Sequence, residues 1–221
     1  MKMDIAENLK QIKQEIPDDV TLVVVSKTQT KEEIMKAYEA GQRIFGENRV
    51  QEMVEKQKEL PEDIQWHMVG HVQTNKVKYM ADFVSLIHGV DRMRLLKEIN
   101  RRAKRENRVI ECLLQLKIAK EESKFGMDVE TMNNLLTSEE YANMENVKIV
   151  GLMGMATFTE SKKQIKEEFQ FLKKIYDTFS KTHPDFRILS MGMSGDYQIA
   201  LENGSNMIRI GSKIFGEREY H

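Results

Sequence analysis

One pattern runs the length of the chain: a short apolar run, then a longer charged segment with helical periodicity, and then the next apolar run. The runs are "TLVVVS" (21–26), "RIFG" (43–46), "QWHMVG" (65–70), "FVSLIH" (83–88), "VIECLLQL" (109–116), "VKIVGLMG" (147–154), "RILSMG" (187–192) and "NMIRIG" (206–211). Between them, segments such as "KEEIMKAYEAG", "NRVQEMVEKQKEL", "DRMRLLKEINRRAKREN" and "SKKQIKEEFQFLKKIYDTFSKT" repeat apolar residues at three- and four-residue spacing. Strand–helix alternation predicts parallel strands, because each right-handed crossover returns the next strand beside the last. Eight such units predict an α/β fold, a closed (β/α)₈ barrel of the TIM type. An open doubly wound sheet is the rival, but no G-x-G-x-x-G follows the first strand, where its usual form needs one.

Only three prolines occur and no Gly/Ser tract interrupts the pattern, so a single domain over residues 1–221 is expected, with an N-terminal helix at about 2–16. Asp91 and Ser161 are the expected N-caps of their helices, and Gly41 the expected stop of another.

Thirty-four basic against 35 acidic residues leave a formal net charge of -1, so no global field favours nucleic acid or a membrane surface. A small soluble ligand is expected instead. Cys112 is the only cysteine, which excludes an intramolecular disulfide and a cysteine-cluster metal site. The first sixteen residues carry charge throughout, unlike a signal peptide, and no run approaches the ~18 apolar residues that span a bilayer. A cytoplasmic location is expected.

In barrels of this kind the site is built at the carboxyl ends of the strands, with phosphate commonly bound after strands 7 and 8. Those loops, "SMGMSGD" and "RIGSKIFG", each carry a glycine and a serine at an expected helix start: Ser194 with Gly195, and Gly211 with Ser212. Glycine permits close approach, serine adds a hydroxyl, and a helix N-terminus offers unpaired N–H groups, so together they make a cradle for a dianion. Strand 1 neighbours strand 8 in a closed barrel, and its apolar run stops at Lys27. An amine there, with its pKa lowered by burial or by Arg209, can condense with an aldehyde. Phosphate and aldehyde together point to pyridoxal 5′-phosphate (PLP), although a phospho-sugar aldolase would use the same parts.

The segments "VVVSKTQ", "FGENRVQE", "WHMVGHVQTNK", "SKFGM", "GLMGMAT" and "SMGMSGDYQIALENGSNMIRIGSKIFG" span residues 21 to 216, and in order and spacing they resemble the PLP homeostasis protein family. That family is similar to the barrel domain of fold-type III enzymes such as alanine racemase. The resemblance implies that Lys27 is the Schiff-base lysine, that Ser194, Gly195, Gly211 and Ser212 form the phosphate cradle, and that Arg209 faces the pyridine nitrogen. It also implies that Asn48 and Met153 line the cofactor pocket. His67, Gly70 and Asn75 belong to the signature after strand 3, where His67 reads as a core histidine and Lys76 as a charged rim. Two positions depart from the family's pattern: Asn206 stands where threonine is usual, and His71 replaces a commonly apolar residue.

Arginine opposite the pyridine nitrogen donates to a neutral ring and disfavours its protonation, which weakens the electron sink that PLP enzymes exploit. Alanine racemase compensates with two bases, one from a second domain. This sequence ends ten residues past Gly211, and that domain is expected to be absent. The expectation is therefore a monomeric PLP-binding protein of vitamin B6 homeostasis, without amino-acid turnover, with PLP-dependent apo-enzymes as possible partners. The alternatives are a PLP-dependent racemase or lyase, and the aldolase. For the aldolase, Glu47 and Asp196 are the nearby acids, and both read as solvated or capping residues.

Overall fold

The computed structural model describes residues 4–120 and 125–216. Its eight strands are β1 (Thr21–Val25), β2 (Ile44–Glu47), β3 (Gln65–Met68), β4 (Leu86–Val90), β5 (Ile110–Leu116), β6 (Val147–Gly154), β7 (Ile188–Met193) and β8 (Met207–Ile210). They pair in sequence order, all parallel, and β8 closes on β1 through the register Thr21↔Met207 to Val24↔Ile210. The helices are α1 (Ile5–Glu15), α2 (Lys31–Glu39), α3 (Val50–Gln57), α4 (Met93–Arg105), α5 (Val129–Leu136), α6 (Glu139–Ala142), α7 (Lys162–Phe179), α8 (Tyr197–Glu202) and α9 (Ser212–Phe215). Of the helix expected from residue 2, positions 2 and 3 lie outside the described residues, as do Ser123 and Lys124 of "SKFGM" and the last five positions.

Alternation along the strands divides the apolar residues into two cores. Val23, Leu86, Leu113, Val150, Met153 and Met207 form a small cluster inside the barrel. Their strand neighbours, among them Leu22, Val24, Phe45, Trp66, Ile87, Leu114, Leu152 and Ile208, join the larger cluster beneath the helices. Strands buried on both faces explain why the sequence reads as continuous apolar runs.

Three local expectations need correction. The fourth strand begins three residues later than its apolar run, because Phe83 and Val84 belong to a turn whose carbonyls are tied down: Arg108 donates to Ala81 O and Val84 O. Between β3 and β4 stands a 3₁₀ helix, Thr74–Tyr79, instead of an α-helix. Its buried Val77 and the following Met80 are three apart, a spacing that aligns them at three residues per turn. Asp91 does not cap α4: that position is Arg92, with no side-chain cap, and Asp91 pairs with the Arg92 guanidinium. Ser161 does cap α7, accepting from Gln164 N–H. Gly41 follows α2 at φ +91, where its N–H and that of Gln42 satisfy the carbonyls of Tyr38 and Ala37.

Candidate functional site

The residues expected to hold the cofactor lie on the strands or at their carboxyl ends. Lys27 follows β1 by two residues and is half-buried, at the second position of a tight turn closed by Gln29 N–H donating to Ser26 O at 3.0 Å. Asn48 follows β2 directly and is half-buried, and Met153 is buried in the barrel interior on β6. Gly211 N–H donates to Ser194 Oγ at 3.3 Å, which ties the β7 and β8 loops together. A Cβ on Gly211 would come within 3.1 Å of Val25 O, so the β8 loop packs against the end of the strand that leads to Lys27. The amine and the serine–glycine loops are thus brought to one edge of the barrel.

The glycines of the β3 and β4 ends allow the strand ends to crowd together. A Cβ on Gly70 would meet Asn48 O at 2.4 Å, and one on Gly89 would meet Gly70 O at 2.7 Å, both backbone contacts that cannot move aside. Gly70, picked out in the signature after strand 3, therefore supports Asn48.

Arg209 is buried on β8, where its Nη1 donates to Ser190 Oγ at 2.6 Å and its Nη2 to Gly154 O at 3.2 Å. Burial pulls its pKa down to about 10, so it remains a cation at neutral pH. Ser190 Oγ lies 3.0 Å from His88 Nδ1, and His88 Nε2 lies 3.1 Å from His67 Nδ1. We assign the donors so that every contact is satisfied: Ser190 accepts from Arg209 and donates to His88 Nδ1, and His88 donates from Nε2 to His67. Burial holds both imidazoles neutral, lowering His67 to about 3 and His88 well below its usual value, the latter with help from the neighbouring charges. His67 is a bonded core histidine, as its apolar neighbours suggest. His88 and Ser190 were not recognised in the sequence, where each is one polar residue in an apolar run, though a polar residue at an inward-facing position is itself a signal.

Glu47 is neither solvated nor a cap. It is fully buried behind β2 and accepts from Lys56 Nζ at 2.8 Å and Ser26 Oγ at 2.7 Å. Asp196 occupies the N-cap position of α8, but its carboxylate accepts from Met193 N–H at 2.6 Å and caps no helix N–H. Lys76 is half-buried, with its amine 5.8 Å above the Tyr79 ring. His71 stacks on Phe125 at 4.1 Å, which gives this departure from the family pattern an aromatic partner. Asn206 works at the amino end of the barrel, where its side chain accepts from Leu189 N–H and donates to Arg187 O, both at 2.7 Å.

These residues fit PLP. Ser194 and Gly195 line a cleft of about 340 Å³ with three lysines that the sequence reading missed, Lys162, Lys166 and Lys213, and with the acids Asp196 and Glu202. A Cβ on Gly195 would meet no heavy atom within 4 Å, which leaves space beside the cradle. Among the described residues neither α8 nor α9 has an N-cap side-chain bond, which leaves their first N–H groups to other acceptors. Among the described residues Arg209 bonds through two of its five N–H donors, which leaves donor capacity for a ring acceptor. No group of three or more His, Cys, Asp or Glu residues able to hold a metal occurs among the described residues.

A model of the family "Alanine racemase, N-terminal domain" matches residues 3–219. The pyridoxal phosphate homeostasis protein of Aquifex aeolicus is 38% identical over 201 residues, covering 90% of this chain and 87% of that protein. Its counterpart in Escherichia coli K12 is 33% identical over 234 residues, covering 98% of each. This chain belongs to the pyridoxal phosphate homeostasis protein family. PipY of Synechococcus elongatus, solved with PLP bound, is 34% identical with a TM-score of 0.87, over 96% of this chain and all of that one. Alanine racemase of Clostridium difficile shares the barrel fold at 14% identity and a TM-score of 0.80, over 98% of this chain but 60% of the racemase. The family assignment agrees with the order of the sequence motifs, and the racemase likeness establishes the fold alone. No helix among the described residues is long and apolar enough to cross a membrane.

Proposed function

We propose that this protein binds PLP at the carboxyl end of the barrel, holds it covalently through Lys27 and serves intracellular PLP homeostasis without turning over amino acids itself. The observation that carries the reading is the seam between β1 and β8: Gly211 packs on Val25 and is bonded to Ser194, so an amine and an anion cradle share one edge. Bound PLP supplies an aldehyde that condenses with a primary amine and a ring that can withdraw electrons. Lys27 provides that amine, while Ser194, Gly195, Gly211 and Ser212 hold the phosphate against the lysines of α7. Arg209 donates to the pyridine nitrogen, with Asn48 and Met153 beside the ring.

Arg209 also limits the chemistry. Its charge persists at neutral pH and its partner chain is neutral, so nothing in that chain offers a proton to the ring nitrogen. A weak electron sink suits a carrier, and handover of PLP to apo-enzymes, a monomeric state and a cytoplasmic location belong to the same reading.

Borohydride reduction and peptide mapping test the linkage: the pyridoxyl group is expected on Lys27 and absent from Lys27→Ala, and a pyridoxyl group on another lysine overturns it. Alpha-proton exchange of L- and D-amino acids in D₂O tests the absence of turnover. Exchange near that of an equal concentration of free PLP is expected, and exchange thousands of times faster would promote the racemase. Light scattering of the eluting protein checks the monomer.

A further inference from the structure

Lys27 occupies an unusual turn. Its successor Thr28 has φ +65, and at the third position of a tight turn that value is ordinarily left to glycine or asparagine. A β-branched residue there is strained and persists only where its surroundings hold it. The holding groups lie outside the barrel, between β1, β2 and α3.

Thr28 N–H donates to Glu52 Oε1 at 2.5 Å. On the other side of Lys27, Ser26 donates from Oγ to Glu47 Oε1, and its carbonyl accepts from Lys56 Nζ at 2.8 Å. Lys56 then closes the cluster, donating to Glu47 Oε1 at 2.8 Å and Glu52 Oε1 at 2.7 Å, so its three protons reach three acceptors. Lys56 and Glu47 are buried, and the two neighbours of Lys27 are held by one cluster, Ser26 through Glu47 and Lys56 and Thr28 through Glu52. A cluster serving only to join α3 to the barrel would have no need to grip this turn at both ends.

We infer that Glu47, Glu52 and Lys56 are positioning residues for Lys27: they hold Ser26 and Thr28 in the strained turn from which the Lys27 side chain departs, and so set the amine for reaction with PLP. The inference rests on Lys27 being the residue linked to PLP. It goes further in assigning the reactivity of that amine to a cluster that does not line the cofactor cleft.

The test uses the full-length protein and PLP, with four variants: Glu52→Ala, Lys56→Met, Thr28→Gly and the double variant Glu52→Ala/Thr28→Gly. The rate and affinity of covalent attachment are followed by absorbance, borohydride mapping locates the adduct, and thermal unfolding is recorded alongside. Glu52→Ala removes one charge-assisted hydrogen bond from a partly exposed residue, and attachment to Lys27 is expected to weaken by about tenfold or more. Glycine adopts the turn without strain, so the double variant is expected to recover most of that loss, whereas a purely structural contact would not be rescued at Thr28. Attachment unchanged in Glu52→Ala and in whatever Lys56→Met protein folds, with only the melting temperature lowered, overturns the positioning role while leaving Lys27 assigned. A loss in Glu52→Ala that Thr28→Gly does not restore also overturns it. A pyridoxyl group on another lysine of the unsubstituted protein overturns both readings at once.

Discussion

The molecule buries two polar networks of similar extent on opposite sides of the same sheet, and they are built on opposite principles. Inside the barrel, Arg209, Ser190, His88 and His67 form a line from β8 through β7 and β4 to β3, with one fixed charge at its end and neutral groups along the rest. Outside it, Glu47, Glu52 and Lys56 pack opposite charges around one ammonium. The inner line holds its cation through hydrogen bonds to neutral groups, with the Asp196 carboxylate acting on it through space, so no bonded carboxylate takes up the charge that a ligand would meet. The outer cluster consumes its charges internally and directs what is left at a backbone turn. Burial is the same physical condition in both, and the arrangement of partners decides whether it yields a binding charge or a rigid loop.

The largest expected effect separates the two directly. Lys56→Met leaves Glu47 a buried carboxyl without its cation, and removing one partner of such a pair typically costs about 3–5 kcal/mol. Lys56→Met combined with Glu47→Leu is expected to recover most of the loss, since the apolar pair leaves no stranded charge. Ser190→Ala should cost less, about 1–3 kcal/mol, because Arg209 Nη1 and His88 Nδ1 each lose one hydrogen bond to a neutral hydroxyl and no ion pair is broken. Urea midpoints of the three variants check the order, and equal losses would dissolve the distinction.

The response to pH sharpens the contrast. His67 and His88 have folded-state pKa values below those of the unfolded chain, so the stability they contribute is present above about pH 6.5 and is lost as pH falls toward 3. The expected slope is about 1.4 kcal/mol per pH unit for each histidine. Glu47 behaves in the opposite sense: burial raises its pKa despite Lys56, so the folded state takes up a proton more readily and gains as pH falls through that raised value. Urea unfolding at a series of pH values should show His67→Gln flattening the acid loss and Glu47→Gln steepening it. A change of the same sign in both would be fatal to the comparison.

The inner and outer networks differ as much in legibility. The barrel was readable because strands buried on both faces give unbroken apolar runs, and eight of these recur between helical segments. The position of Lys27 and of the serine–glycine loops was readable because they sit at strand ends, where a closed barrel gathers its loops, whereas Arg209 lies within β8 and its expected role came with the family resemblance. Glu47 reads as an ordinary surface acid after "FG", because its partner Lys56 lies nine residues on in a helix rich in Glu and Lys. Nothing in that periodicity distinguishes the buried lysine from its solvated neighbours, and the unusual φ of Thr28 leaves no trace in the sequence. His88 is obscured for another reason, since the apolar run that contains it includes a turn and shifts the apparent strand by three residues.

The smallest effect on the fold is expected where neither network reaches. Gly195 stands in the β7 loop with no positive φ, and an added methyl group there would touch nothing within 4 Å. Gly195→Ala should therefore change stability by no more than about 0.5 kcal/mol, the usual scale for a surface substitution. The methyl group would nevertheless occupy space beside Ser194 and the α7 lysines, where the phosphate is proposed to sit. Displacing a phosphate oxygen from one charge-assisted hydrogen bond costs about 1.5 kcal/mol or more, so PLP should bind about tenfold more weakly. Pyridoxal, which lacks the phosphate, should bind Gly195→Ala and the unsubstituted protein alike. Parallel titrations with the two aldehydes decide the point: an equal loss for both would mean that the methyl group disturbs the Lys27 edge, and no loss for either would remove Gly195 from the cradle. A loss confined to PLP would separate this third region from both networks, as a surface that adds almost nothing to the fold and acts on the ligand's anion alone.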